Sequence, residues 1–404
     1  MSIIRDVTIK AQKYLDDPDI LLFVGARQAG KTTILKQLQE QVVSVRREAQ
    51  FFLNLEDPDF RALLNQSPKN LFKIFPFDLS RRAVVFIDEV QYLKDPSNFL
   101  KYLYDEHEKQ IKLCVSDSSA FYLDQKFKDS LAGRKRIFQV HTLSFAEFLR
   151  FKGQEELWPK RTRAPLTLLE KERVAQFFEE YMIYGGYPRV ALAPLEEKKE
   201  ILCELAYSYI KKDIYEGRVR QEEIFYRLLK ILAAQTGQLV NATELSATLG
   251  VSKTAINAYL WVMQKSFHLA LITPFFRNVR KELTRMPKVF FLDLGLRNFF
   301  LDNFTPFLKR EDRGALLENA VFCQLAKHRE NAEIHFWRTT QKQEVDFVIG
   351  EKEAFEVKVN PEHASLRVLK VFKAQYPEID LRFVTFEARL QEYGKIPIME
   401  VWEL

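Results

Sequence analysis

The chain has 404 residues, 47% of them hydrophobic and 29% charged, with a formal net charge of +6. This balance excludes a disordered or collagen-like chain, and no run of about 18 apolar residues is present to form a membrane span. The length exceeds one ordinary core, so roughly two to four domains are expected. The opening stretch MSIIRDVTIKAQKYL scatters charges through its apolar residues and does not read as a secretion signal. Cys114, Cys203 and Cys323 lie far apart with no C-x-x-C spacing, so neither a zinc site nor a disulfide framework is expected. A reducing cytoplasm fits this pattern.

Residues 20–33, ILLFVGARQAGKTT, read as a buried strand, a glycine-bounded loop and a helix start. Gly25-Ala26-Arg27-Gln28-Ala29-Gly30-Lys31-Thr32 fills the G-x-x-x-x-G-K-[ST] pattern, in which backbone N–H groups converge on one anion. Lys31 is expected to reach the β- and γ-phosphates of ATP and the Thr32 hydroxyl to take a Mg²⁺ position, with Thr33 completing the helix start. A second strand is read at residues 51–55. Four apolar residues, Val84 to Ile87, then run into Asp88 and Glu89, which places two acids at the carboxyl end of a buried parallel strand. Asp88 is suited to hold Mg²⁺ through water and Glu89 to deprotonate the attacking water. The strand at residues 111–116 is expected between the phosphate loop and the acidic strand, where Ser116 would sense the γ-phosphate. Arg134, in Leu131-Ala132-Gly133-Arg134, has two readings: a finger in a neighbouring subunit's site, or a surface salt bridge.

These motifs, together with YGGYPRV at residues 184–190 and SYIKKDI at 208–214, resemble the prokaryotic AAA+ ATPases that carry a C-terminal domain of unknown function. The resemblance runs over nearly the whole length. It implies ATP and Mg²⁺ as cofactors and a helical lid after the sheet. Asp117 stands where similar proteins commonly have glycine. Arg189, just past the turn, has two readings: phosphate contact, or pairing with a local acid.

Residues 224–235 read as an amphipathic helix. Asn241 caps a short helix that stops at Gly250, and a second runs from Lys253 to Lys265, which together form a helix-turn-helix. A basic stretch and a strand at 288–292 complete a winged hairpin. Ser252, Lys253, Thr254 and Asn257 would face DNA, with Arg280 and Lys281 from the wing on phosphates. Residues 238–290 carry seven basic residues (Lys253, Lys265, Arg277, Arg280, Lys281, Arg285, Lys288) against the acidic Glu244 and Glu282, a footprint suited to a phosphate backbone.

The last hundred or so residues read as α-β-β-β-α-β. Strand periodicity puts Glu356 and Lys358 on one face, and with Asp346 they supply the acid and ammonium groups of a Mg²⁺-dependent phosphodiesterase. This part resembles the PD-(D/E)xK nuclease core, including archaeal Holliday-junction resolvases. Asp346, Glu356 and Lys358 match its motif and Glu318 its helical acid, while Val345 stands in place of its proline.

The expected architecture is α/β: an AAA+ P-loop parallel sheet at 1–150, a helical lid or connector at 151–237, a winged helix at 238–305 and a nuclease-like module at 306–404. The expected function is ATP-driven remodelling of, or movement along, duplex or branched DNA, by a homo-oligomeric, hexameric ring outside any membrane. Two alternatives are an ATP-gated switch that binds a protein or operator, and a structure-selective nuclease.

Overall fold

The computed structural model describes residues 3–46, 48–78, 80–108, 110–118, 131–158, 166–217, 219–275, 286–328 and 333–404. The chain divides into two compact units, Met1–His141 with Lys265–Phe267, and Thr142–Gln264 with His268–Leu404.

The first unit is built on five parallel strands: β1 (Ile20–Gly25), β2 (Ala49–Asn54), β3 (Ala83–Asp88), β4 (Ile111–Asp117) and β5 (Lys135–Val140), in the order β2-β3-β4-β1-β5. Alternate side chains along each central strand enter different cores, which is why the strands read as continuous apolar runs. Leu22, Val24, Val85, Ile87, Leu113 and Val115 meet the helices Pro58–Gln66 and Pro96–His107 on one face. Leu21, Phe23, Val84, Phe86 and Cys114 meet Asp6–Gln12 and Lys31–Gln41 on the other. β4 lies between β1 and β3, the place the sequence reading gave it.

In the second unit, stretches read separately as connector, winged helix and C-terminal module contribute to one apolar core. It joins Phe145, Phe178 and Tyr181 to Phe290, Leu294, Leu316, Phe322, Phe347 and Trp402. The GGYPRV motif has a structural place there. Gly186 N–H donates to Asp293 Oδ2 at 2.8 Å, and a Cβ on Gly186 would come within 2.5 Å of Leu143 O, so only glycine fits the approach. Helices Ala242–Leu249 and Lys253–Lys265 flank the Gly250 turn, and β6 (Leu269–Ile272) pairs antiparallel with β7 (Lys288–Phe291).

Helix Arg313–His328 precedes β8 (Ile334–Arg338), β9 (Glu344–Ile349) and β10 (Glu353–Val357), and helix Leu366–Gln375 precedes β11 (Asp380–Thr385). This is the order read from the sequence, but two further strands, β12 (Glu392–Tyr393) and β13 (Ile396–Glu400), extend the sheet to β12-β13-β11-β10-β9-β8. Their short, half-exposed pattern gave no period-2 signal. Helix Arg313–His328 covers one face of this sheet and Leu366–Gln375 the other.

Phe178 is fully buried among Phe145, Tyr181, Phe386 and Trp402, with ring centroids 4.8 to 6.4 Å away. Phe178→Ala is expected to destabilise the second unit by about 3–5 kcal/mol, read as an earlier urea midpoint.

Candidate functional site

The loop between β1 and the helix Lys31–Gln41 starts at a glycine for a steric reason: a Cβ on Gly25 would lie 2.0 Å from Val140 O on the neighbouring strand. The helix is preceded by Gly30, which offers no side-chain cap to its first N–H groups. Those donors point toward the loop, the arrangement that receives a phosphate. Lys31 is only 4% exposed, and its ammonium donates to Gly25 O at 2.9 Å and Ala26 O at 2.8 Å. Burial lowers its pKa, and the neighbouring Glu89, Asp117 and Asp88 charges offset part of that shift.

Asp88, at the end of β3, gathers the site. The Thr32 hydroxyl donates to its Oδ2 at 2.6 Å and the Ser116 hydroxyl donates to its Oδ1. Burial raises the Asp88 pKa, and these two hydrogen bonds oppose the rise. Ser116 also accepts from Glu89 N–H at 3.0 Å, so it braces the acidic pair from behind. Both of its hydrogen bonds in this structure go to the acids. Glu89 has a left-handed backbone, φ 59°, and its carboxylate accepts from Ser118 Oγ at 2.5 Å and from Gln91 Nε2. Sequence reasoning missed Ser118 and Gln91 as orienting residues. The signal was the polar run after β4 and a glutamine two places beyond the acid.

Arg134 makes a salt bridge in the single chain. Its Nε meets Asp105 Oδ1 at 2.7 Å, and the side chain stays with its own surface. Arg189 pairs with Glu204 at 2.8 Å, which leaves the phosphate-contact reading unsupported. Ser252, Lys253, Thr254 and Asn257 are all exposed on one stretch of the helix-turn-helix. Arg280 and Lys281, assigned to the wing, lie outside the described residues, as do Arg277 and Arg285. Lys288 corrects the charge count made from sequence, since it is 3% exposed and belongs to a buried ion cluster.

That cluster is the second candidate site. The ammonium of Lys358 sits on three oxygens: Glu356 Oε1 at 2.7 Å, Val357 O at 3.0 Å and Asp346 Oδ2 at 3.4 Å. Asp346 Oδ2 also accepts from Val357 N–H at 2.8 Å. Glu318 faces Lys288, at 3.1 Å, and Lys288 reaches Glu344 at 2.5 Å, while Arg338 takes the other oxygen of Glu344. Glu318, Asp346 and Lys358 line a cavity of about 370 Å³ with Arg313, Asn360 and His363. Four carboxylates outnumber two ammoniums and one guanidinium, and the surplus negative charge shows in the titration. Burial, then Asp346, push Glu356 up to about 8; burial, with Asp346 and Glu344, pushes Glu318 up to about 7. Burial works against the charged forms of Lys288 and Lys358, yet the carboxylates outweigh it and hold both above the ordinary lysine range.

Among the described residues no group of three or more His, Cys, Asp or Glu side chains converges as a metal site. Asp346, Glu356 and the Val357 carbonyl nonetheless share one cation position, now held by Lys358, and Glu356 Oε2 is buried without a hydrogen-bond partner. This donor set suits a hard divalent ion. Glu318 does not join it.

Comparison with known proteins matches three parts of the chain. The AAA domain family matches residues 17–149; two domains of unknown function match 175–306 (DUF8612) and 313–404 (DUF4143). The N-terminal match takes in both the glycine-bounded loop and the acidic end of β3 that the fold brings together. An uncharacterized protein of Haemophilus influenzae is 25% identical over 354 residues, covering 83% of this chain and 80% of its own. One from Methanocaldococcus jannaschii is 26% identical over 356 residues, covering 85% and 74%. Among solved structures, C. elegans PCH-2 aligns with a TM-score of 0.31 at 13% identity over 64% of this chain and 65% of that one. The replication initiator DnaA bound to AMPPCP and single-stranded DNA aligns at 0.30 and 15%, over 65% and 90%.

The raised acids make stability depend on pH. Glu356, ordinarily near 4.5, holds its proton up to about 8 in the folded chain, so folding takes up a proton between those values. The associated stability is present below 4.5 and is lost as pH rises through 8. The Tm of the second unit is therefore expected to fall from pH 5 to pH 8.5, with a smaller fall in Glu356→Gln, measured by calorimetry in each variant.

Proposed function

We propose that this chain binds ATP with Mg²⁺ on residues 25–33 and hydrolyses it, and that DNA bound on the helix-turn-helix is what the hydrolysis acts on. The observation that carries the reading is the convergence of Lys31, Thr32, Asp88 and Glu89 at the carboxyl ends of β1 and β3. In it, Lys31 exchanges the Gly25 and Ala26 carbonyls for β- and γ-phosphate oxygens. Thr32 and Asp88, whose side chains meet at 2.6 Å, would hold the metal, Thr32 directly and Asp88 through water. Bound there, Mg²⁺ would neutralise charge on the two outer phosphates. Glu89, oriented by Gln91 and Ser118, takes the proton from the attacking water.

The DNA part rests on the exposed Ser252, Lys253, Thr254 and Asn257 at the start of the second helix, the end that enters a major groove in a helix-turn-helix. Action on DNA by an ATPase of this kind calls for neighbouring subunits, and we include a homo-oligomeric ring, a hexamer in the simplest case. In such a ring Arg134 would leave Asp105 for the neighbour's γ-phosphate. A ring that never forms on gel filtration with ATP and Mg²⁺ would remove this part alone.

A second reading is supported by the three oxygens gathered on Lys358. They fit a phosphodiester-cleaving site, and Mg²⁺-dependent cutting of branched DNA that disappears in Asp346→Ala would establish it.

Lys31→Ala is expected to lower the ATPase rate by about 10²–10³-fold, and Glu89→Gln by about 10²-fold with ATP binding retained. Duplex, single-stranded and branched DNA are then compared as activators. Stimulation that weakens in Lys253→Glu supports action on DNA; a slow rate indifferent to all three would point instead to a nucleotide-gated switch binding a protein or operator.

A further inference from the structure

Glu318 is held by a lysine other than the one that Asp346 and Glu356 share. Its Oε1 lies 3.1 Å from the Lys288 ammonium, and its Oε2 packs where a Cβ on Gly237 would come within 2.8 Å. Lys288 arrives from β7, outside the sheet that carries Asp346 and Glu356, and its ammonium also meets Glu344 at 2.5 Å and faces the Phe336 ring at 5.3 Å. Its placement is rigid. Asn319, the next residue after Glu318, accepts from Phe291 N–H at 2.9 Å and donates to Phe291 O at 2.8 Å, which fixes β7 to the helix bearing the glutamate.

A buried ammonium on two carboxylates is costly to remove, since either partner left alone is an unpaired charge away from water. A divalent ion arriving at Glu318 must expel Lys288 or sit beside it against Coulomb repulsion.

We propose that Lys288 is the resident cation of Glu318, so that Glu318 is not a metal ligand in this chain and any divalent ion in the cavity is held without it. A lysine from β7 thus decides whether Glu318 is available to a metal ion in the C-terminal cavity. The inference concerns charge and donor geometry alone and stands whether or not the chain hydrolyses ATP or cuts DNA.

The test is Mn²⁺ binding to the nucleotide-free full chain, followed by the EPR signal of free Mn²⁺, so that the variants differ only at this cluster. Glu318→Gln is expected to match wild type within about twofold at every site. Lys288→Met, checked for folding by circular dichroism, is expected to gain a Mn²⁺ site or tighten one by at least about tenfold, and the gain should vanish in Lys288→Met with Glu318→Gln. Loss of a site, or weakening by about tenfold or more, in Glu318→Gln alone overturns the proposal. So does a folded Lys288→Met that binds Mn²⁺ no better than wild type. If Lys288→Met does not fold, the Glu318→Gln comparison decides by itself.

Discussion

The carboxylate of Asp88 is the constraint on which the first unit's chemistry depends. It stands at the end of β3 and receives one hydroxyl from the phosphate-loop helix, Thr32, and one from β4, Ser116. Strand β4 lies between β1 and β3, so this one side chain joins two neighbouring strands, β3 and β4, to the helix that follows β1. Burial works against the charged form of this acid, and the two hydrogen bonds to it offset part of the loss of water. Glu89, one residue on, sits in a left-handed conformation that turns it away from the strand and into reach of Gln91 and Ser118. Backbone strain at such a position is held by the surrounding bonds.

The second unit follows a different principle. Its polar centre is a cluster of like charges balanced by lysines. Two of its carboxylates are raised into the neutral pH range, chiefly by burial and further by the neighbouring Asp346 charge. Such a cluster stays assembled because apolar packing surrounds it. Phe290, Phe322 and Phe347 stack on one another beside it, and Phe336 lies under Lys288. Low polarity around the ions makes each pairing matter more.

The two units divide the labour of the sequence motifs unevenly. The phosphate-loop and acidic-strand motifs are chemical and meet at one place. GGYPRV is architectural: its glycines admit Asp293 and Leu143 at distances no Cβ allows, and its arginine ends in an ordinary surface pair with Glu204. A motif that identifies a group of proteins need not carry their chemistry.

The sequence by itself determined the strand-loop-helix of the phosphate site, the acids at the end of β3, the place of β4, and the order of elements around Asp346, Glu356 and Lys358. Those features are local, and each is written in a periodicity or a fixed spacing that the backbone obeys wherever it folds. Only the tertiary structure decided the partners. Ser116 bonds to both acids, Arg134 pairs with Asp105, and Lys288 left the basic surface for a buried place between Glu318 and Glu344. Each of these depends on which distant segment packs alongside, a matter of long-range burial and charge balance that no short window of residues records.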